Sequence, residues 1–146
     1  MNKLIDDLYK NRLLNTDEKI ERFEEDLNKL AEEFEEEYIA DVCRVFDDNT
    51  REHEMMFGLI HLIEAFSSER AFELTVSGVA DMTESAIEWA KIIMYRILNH
   101  SPSRIKLKKA ISVSEDKTQQ VITALLNTIK AEDFDRFSEA INEILY

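Results

Sequence analysis

Glycine and proline are scarce in this chain, which has two Gly and one Pro among its 146 residues. These residues interrupt helices more often than any others, so the sequence offers few positions at which a helix must end. Alternation of apolar and polar residues with a period of two, the pattern typical of strands, is also rare. Apolar residues recur instead at helical spacing along the chain, which predicts an all-α fold.

Cysteine occurs once, at Cys43, which excludes a framework of intramolecular disulfides. Its apolar neighbours Ala40, Val42 and Val45 predict a buried, unreactive thiol. The sequence lacks a basic leader followed by an apolar segment, and no apolar run reaches the roughly 18 residues needed to cross a membrane. We therefore expect a cytoplasmic protein that does not bind membranes.

Positive charge is in short supply as well. The chain has 18 Lys and Arg against 31 Asp and Glu, a net charge of −13. Residues 1–50 hold 16 acidic and 7 basic side chains, whereas residues 101–146 hold 7 of each. An acidic surface repels phosphates, which argues against binding to nucleic acid or anionic lipid. It suits a basic protein partner.

The length fits a single domain over residues 1–146. Asn15-x-x-Glu18 has the form of a capping box and predicts the start of a long amphipathic helix, bent near Glu35–Glu37. Its apolar residues recur at helical spacing: Ile20, Phe23, Leu27, Leu30, Phe34, Tyr38, Val42 and Phe46. A turn is expected next, at Asp47–Thr50.

Six more helices are predicted after this turn. Their predicted starts are Asn49-x-x-Glu52, Ser67-Ser68, the cap Thr83, the pair Ser101-Pro102, a point near Val121 and Phe134. They group into pairs over residues 50–80, 83–113 and 115–146, and each pair has about the length of a helical-hairpin repeat. We therefore expect seven or eight helices stacked as hairpins in a solenoid-like manner, with an irregular bundle as the alternative.

The helix after the turn carries the residues that most resemble a chemical site. On a helical wheel, His53, Glu54, His61 and Glu64 share one polar stripe. The two histidines are about 12 Å apart along the axis, so they cannot bind one metal ion. We expect His61 and Glu64 to form a structural polar seam, with Arg96 of a neighbouring helix as the partner of Glu64. No metal site or cofactor is predicted.

Catalysis is not predicted either, because the sequence has no nucleophile–base pair and no Gly-rich phosphate loop. The basic residues from Arg104 to Lys109 have no interleaved aromatics and are expected to form a solvated face. A protein contact is more consistent with the acidic turn. Asp47 and Asp48 are expected to project outward, followed by Glu52 and Glu54. Helix capping could also explain this cluster.

Two motifs resemble a known family. Phe46-Asp47-Asp48-x-Thr50, followed by Met56-Phe57-Gly58-Leu59-Ile60-His61-Leu62-Ile63-Glu64, resembles the immunity protein 30 family of bacterial polymorphic toxin systems. Trp89-Ala90 and Tyr95-Arg96-Ile97-Leu98-Asn99 are similar to the next helix of that family. The resemblance covers about residues 30–146. Its matching polar positions are Asp47, Asp48, His61, Glu64 and Arg96.

The resemblance implies an all-α, non-enzymatic protein that binds and neutralises a cognate toxin. Many such toxins attack nucleic acids and carry basic clefts, so the acidic charge suggests that this protein blocks a basic toxin domain. The alternative is an α-helical repeat scaffold that binds an endogenous protein partner. The sequence leaves the oligomeric state open.

Overall fold

The computed structural model describes residues 2–146, and this part of the chain contains nine α-helices, two 3₁₀ turns and no strand. The all-α prediction is confirmed. The helices are α1 (Lys3–Lys10), α2 (Asp17–Glu33), α3 (Ile39–Val42), α4 (His53–Glu64), α5 (Glu69–Met82), α6 (Ile87–Leu98), α7 (Ser101–Ser112), α8 (Asp116–Glu132) and α9 (Phe134–Leu145). The 3₁₀ turns, Glu36–Tyr38 and Cys43–Val45, flank α3.

Helix α1 was not predicted from the sequence. It forms because the side chain of Asn2 accepts a hydrogen bond from the backbone amide of Leu4 at 2.7 Å, which satisfies an otherwise free donor. Ile5 and Leu8 lie on one face of this helix and are fully buried. Burial of these two side chains fixes α1 against α2.

The prediction of one long helix reaching Phe46 is wrong. Helix α2 ends at Glu33, because Phe34 adopts an extended backbone conformation with ψ of 133°. The chain then changes direction through the short α3, which buries Ile39 and Val42. The start of α2 also differs by one residue, since Thr16 accepts the capping hydrogen bond that the sequence assigned to Asn15.

Of the other predicted helix caps, two are wrong, one is confirmed and one is displaced by a single position. Helix α4 begins at His53 without a side-chain cap. Thr83 closes α5 by donating to the carbonyl oxygen of Ala80 at 3.1 Å, and does not open α6. Ser68 caps α5 as predicted, through the amide of Ala71 at 3.0 Å. Ser101 and Pro102 open α7 one position from where they were expected.

Helix α5 is at the centre of the packing. It contacts α3, α6, α7 and α8, while α6 packs on α7 and α8 packs on α9. The buried apolar side chains form one core cluster that runs from α1 to α9. Three consecutive pairs pack together, α1 with α2, α6 with α7 and α8 with α9, whereas α4 packs mainly on α2 and not on α5 as the predicted pair over residues 50–80 required. Among residues 2–146, no helix combines the length and apolar composition needed to cross a bilayer.

Two close helix approaches depend on glycine. A Cβ added at Gly58 of α4 would lie 2.6 Å from Cδ2 of Leu27 on α2. A Cβ added at Gly78 of α5 would lie 2.6 Å from Sγ of Cys43 and 3.2 Å from Cα of Ala40. These glycines let α4 approach α2 and let α5 approach the α3 segment.

Candidate functional site: an acidic groove beside the Asp47–Thr50 turn

The acidic turn does not point its first carboxylate outward. Asp47 is only 6% exposed. Its Oδ2 accepts from Nε of Arg12 at 3.1 Å, and its Oδ1 accepts from the amide of Asn49 at 2.8 Å. The sequence placed Asp47 at the protein surface, and this position is wrong. The carboxylate turns inward because a buried loop amide and a guanidinium both need an acceptor.

Asp48 is half-buried, and its side chain caps the distant helix α6. Its Oδ2 accepts from the amide of Glu88 at 3.2 Å, in the first turn of α6. Helix α6 has no cap of its own, so Asp48 supplies the acceptor and a negative charge at its N-terminus. Asp48 therefore has the capping role that the sequence offered as an alternative. It caps α6, however, and not the adjacent helix α4.

The same turn fastens two neighbouring loops through the backbone. The amide of Asp48 donates to the carbonyl oxygen of Ser85 at 3.2 Å, and the amide of Arg51 donates to that of Leu13 at 3.1 Å. Next to Leu13, the buried Leu14 has φ of 51°, a left-handed conformation that costs a residue with a side chain about 1–2 kcal/mol. The turn thus holds the loops that follow α1 and α5 in fixed positions.

A groove of about 800 Å³ opens beside these loops. We call it the acidic groove. Four parts of the chain line it: helix α1, the segment from α3 to the second 3₁₀ turn, the end of α5 with its following loop, and the start of α8. Its lining residues are Ile5, Asp6, Tyr9, Asp41, Arg44, Val45, Ala80, Asp81, Met82, Thr83, Glu84, Ser85, Lys117 and Val121.

Carboxylates dominate the charge of the acidic groove. Four of them line it, against two cations, Arg44 and Lys117. Among residues 2–146, the eight salt bridges use none of the four carboxylates. Their charge is therefore available to a partner. The four carboxylates are Asp6, Asp41, Asp81 and Glu84.

Tyr9 is the aromatic residue of the acidic groove, and it is 45% exposed. The guanidinium of Arg12 lies 4.0 Å from the centroid of its ring. Since Arg12 also pairs with Asp47, the buried carboxylate of the turn orients the aromatic side chain through one intermediate residue. The turn thus supports the groove next to it, and its role as a contact stays a prediction.

Glu52 and Glu54, the other two predicted contact residues, are exposed. In the described part of the chain neither forms a side-chain hydrogen bond or salt bridge, so both carboxylates face solvent. They follow directly on the turn that supports the groove. Their place in the fold is compatible with the contact role that the sequence suggested.

Cys43 lies behind the acidic groove and is fully buried, as predicted. Burial, together with a smaller effect of the negative charge of Asp81, raises the pKa of its thiol to about 12. A thiol with this pKa is protonated at neutral pH and is a poor nucleophile.

Glu64 pairs with Arg96, the partner expected from the sequence. Nε and an Nη of Arg96 donate to the two carboxylate oxygens at 2.7 and 2.8 Å, which joins α4 to α6. The pair lies at the surface, with 39% and 41% of the two side chains exposed. His61 is exposed too, so the seam is not internal. In residues 2–146 no three His, Cys, Asp or Glu side chains are placed to hold a metal ion.

The basic residues of α7 are bound to neighbouring helices. Arg104 donates to Glu143 of α9 at 2.9 Å, and Lys109 donates to Glu69 of α5 at 2.6 Å. Lys106 donates to the carbonyl oxygen of Ser67. The sequence predicted a simple solvated face, but three of its four cations hold helices together. This arrangement leaves little positive charge for an external ligand.

The sequence did not reveal the acidic groove. Its lining residues are spread from position 5 to position 121, and no local pattern joins them. The one available signal was Asn2 followed by Leu4, Ile5 and Leu8, which is the pattern of a capped amphipathic helix. Recognising α1 would have placed Asp6 and Tyr9 on a helix, but not beside Asp81.

Comparison with known proteins gives a family match. The family model described as Immunity protein 30 matches residues 10–107. The match includes both motifs that carry the resemblance, from Phe46 to Glu64 and from Trp89 to Asn99. Searches of curated proteins and of solved structures find no match.

Proposed function

We propose that this chain, which belongs to the immunity protein 30 family, binds a protein toxin and neutralises it. The match over residues 10–107 is the observation that carries the proposal. A family of immunity proteins implies a toxin partner and a role that is in general not enzymatic. The toxin, its activity and the contact surface are parts of the proposal.

We propose that the toxin domain is basic and that electrostatic attraction brings the two proteins together. The net charge of −13 supports this view. The pairing of Arg104 and Lys109 with carboxylates of neighbouring helices also supports it, because these cations are then less able to repel a basic partner. Complementary charge accelerates association by steering the encounter of two proteins. Once bound, the acidic surface blocks the basic cleft from its substrate.

We also propose that the encounter takes place in the cytoplasm, where the nucleic-acid substrates of such a toxin are found. The protein needs no catalytic group for this role. Its exposed acidic residues Glu52 and Glu54 contribute to attraction, and its packed core provides a rigid surface. A rigid surface loses little conformational entropy on binding.

A binding measurement at low and high ionic strength tests the proposal. The purified chain is combined with the toxin domain encoded beside its gene, and association and dissociation rates are recorded. We expect the association rate to fall about tenfold or more as salt screens the charges. The double variant Glu52→Gln/Glu54→Gln should associate several-fold more slowly than the wild type at low salt.

The matched control is Asp135→Asn/Glu139→Gln, two exposed positions on α9 that remove the same charge. It should change the association rate less than the Glu52/Glu54 pair does. Association that is insensitive to salt would contradict the electrostatic mechanism. Absence of a complex at every salt concentration would contradict the proposed function itself.

A further inference from the structure

We infer that the acidic groove is the contact site for a basic segment of the toxin, a short stretch of chain carrying Arg or Lys side chains. The inference rests on the proposed function and specifies its surface. The carboxylates of the groove lie in a concavity of about 800 Å³, in contrast to those on α2, which stand on a convex helix. Within a concavity several carboxylates can approach one cation from different sides.

The side chains of the groove match the chemistry of arginine and lysine. Asp6, Asp81 and Glu84 are exposed and outside the salt bridges of residues 2–146, so they can accept charge-assisted hydrogen bonds from a guanidinium or ammonium group. The ring of Tyr9 already carries one guanidinium, that of Arg12, on one face. Apolar atoms of Ile5 and Val121 line the groove as well and suit the methylene stems of long cationic side chains.

The volume of the groove sets the size of the occupant. Cavities of about 300–1,000 Å³ hold ligands the size of a few amino-acid side chains. The acidic groove therefore accommodates a protruding segment of the toxin, while the rest of the toxin domain lies on the surrounding surface. The two groove cations, Arg44 and Lys117, would repel a segment whose positive charges are in the wrong register, which adds selectivity.

The boundaries of the family match divide the groove in an informative way. The residues from Asp41 to Ser85 lie within the matched range 10–107. Those of α1 and α8 lie outside it: Ile5, Asp6, Tyr9, Lys117 and Val121. The middle of the groove thus lies within the family match, and the ends formed by α1 and α8 lie outside it. We assign selection of the particular toxin segment to these ends.

Neutralising the groove tests the inference. The variant Asp6→Asn/Asp81→Asn/Glu84→Gln is compared with Glu21→Gln/Glu24→Gln/Glu25→Gln, which removes the same charge from exposed positions on α2. We expect the groove variant to bind the toxin domain about tenfold or more weakly, and the α2 variant to change affinity no more than about twofold. Tyr9→Ala, at an unmatched end, should also lower affinity. Circular dichroism checks that each variant folds.

Equal weakening by the groove and α2 variants would overturn the inference and leave the proposed function intact. If the wild type fails to bind the toxin domain, the proposed function fails, and a second experiment still decides about the groove. The isotope-labelled chain is titrated with a hexa-arginine peptide and followed by NMR. Shifts concentrated at Asp6, Tyr9 and Asp81 support the groove. Shifts concentrated on α2, or no shifts, contradict it.

Discussion

At the scale of single residues, neighbouring carboxylates of one short motif have different roles. Asp47 is buried and neutralised by Arg12, Asp48 caps the N-terminus of α6, and Glu52 faces solvent. Removing Asp47 would leave Arg12 without its acceptor, a loss typically of about 1.5–3 kcal/mol for a hydrogen bond to a charged group. The motif that carries the family resemblance is therefore structural at its first two acidic positions.

Asp26 on α2 is a buried carboxyl group whose pKa is raised by the fold. It is 8% exposed, and among the described residues its Oδ2 has no hydrogen-bond partner. Burial and the neighbouring Asp7 raise the pKa of Asp26 from 3.8 to about 6. The hydrogen bond from Asp26, together with Arg22, lowers the pKa of Asp7. Asp26 is thus the member of this pair that keeps its proton, next to the more acidic Asp7.

The raised pKa of Asp26 predicts a stability change with pH. The folded state keeps this proton up to about pH 6, whereas the unfolded chain loses it near 3.8. The free energy of unfolding therefore falls as pH rises through this window. Asp26→Asn should remove this loss and raise the free energy of unfolding at pH 7 by about 1–2 kcal/mol, because a neutral amide avoids burying a charge beside Asp7.

Urea denaturation of wild type and variant at several pH values between 4 and 8 measures this effect. The gain should shrink toward zero at the acidic end, where Asp26 of the wild type is protonated. Glu25→Gln, an exposed change on the same helix, controls for net charge and should show no such pH dependence. A variant that is less stable than the wild type at pH 7 would contradict the claim that the buried charge of Asp26 destabilises the protein.

At the scale of elements, glycine sets how closely the helices approach. At Gly58 an added Cβ would meet only the side chain of Leu27, whose methyl end can move. At Gly78 it would meet both Sγ and Cβ of the buried Cys43, and the backbone of Ala40 at 3.2 Å. Backbone and core atoms cannot move away cheaply, because the interior is close-packed.

We therefore predict opposite outcomes for two identical substitutions. Gly78→Ala should lower the free energy of unfolding by about 1–3 kcal/mol, since overpacking exceeds the gain in helix propensity. Gly58→Ala should be neutral or stabilise the protein by up to about 1 kcal/mol, because the propensity gain outweighs a small shift of Leu27. Thermal and urea unfolding of both variants decides the matter. Equal effects would show that helix propensity alone governs these positions.

Periodicity in the sequence was sufficient for most helices and insufficient for their ends. The apolar spacing after Ser67, Thr83 and Val121 gave helices that the structure contains. The same spacing ran on past Phe34 and suggested only a bend near Glu35–Glu37, whereas α2 ends at Glu33 and the chain turns there because tertiary packing of Ile39 and Val42 outweighs local pattern. Caps such as Asp48 on α6 involve residues 40 positions apart, so no local motif could reveal them.

Only part of the candidate site could be predicted from the sequence, because most of it depends on contacts between distant parts of the chain. The pairing of Glu64 with Arg96 was accessible, because a carboxylate on a largely apolar helix needs a basic partner, which Arg96 on a neighbouring helix could supply. The inward turn of Asp47 was not, since it depends on Arg12 in a loop 35 positions earlier. The acidic groove depends on four separate segments of the chain at once.

At the scale of the whole molecule, charge is distributed so that cations hold the fold together and carboxylates remain at the surface. Cations from α5, α6 and α7 bridge neighbouring elements: Arg70, Lys91, Arg96, Arg104 and Lys109. Many acidic residues have no such partner in the described part of the chain, and four of them line the groove. A rigid helical body with a negatively charged concavity is suited to the capture of a basic partner.

Survival of cells that produce the toxin tests the central claim most directly. The toxin domain encoded beside this gene is induced in a host cell with or without this chain, and viable cells are counted. If the chain neutralises the toxin by binding it, growth should be restored, and the two proteins should co-purify as a complex from the surviving cells. Continued killing, with the chain present as folded protein in excess over the toxin, would contradict the account.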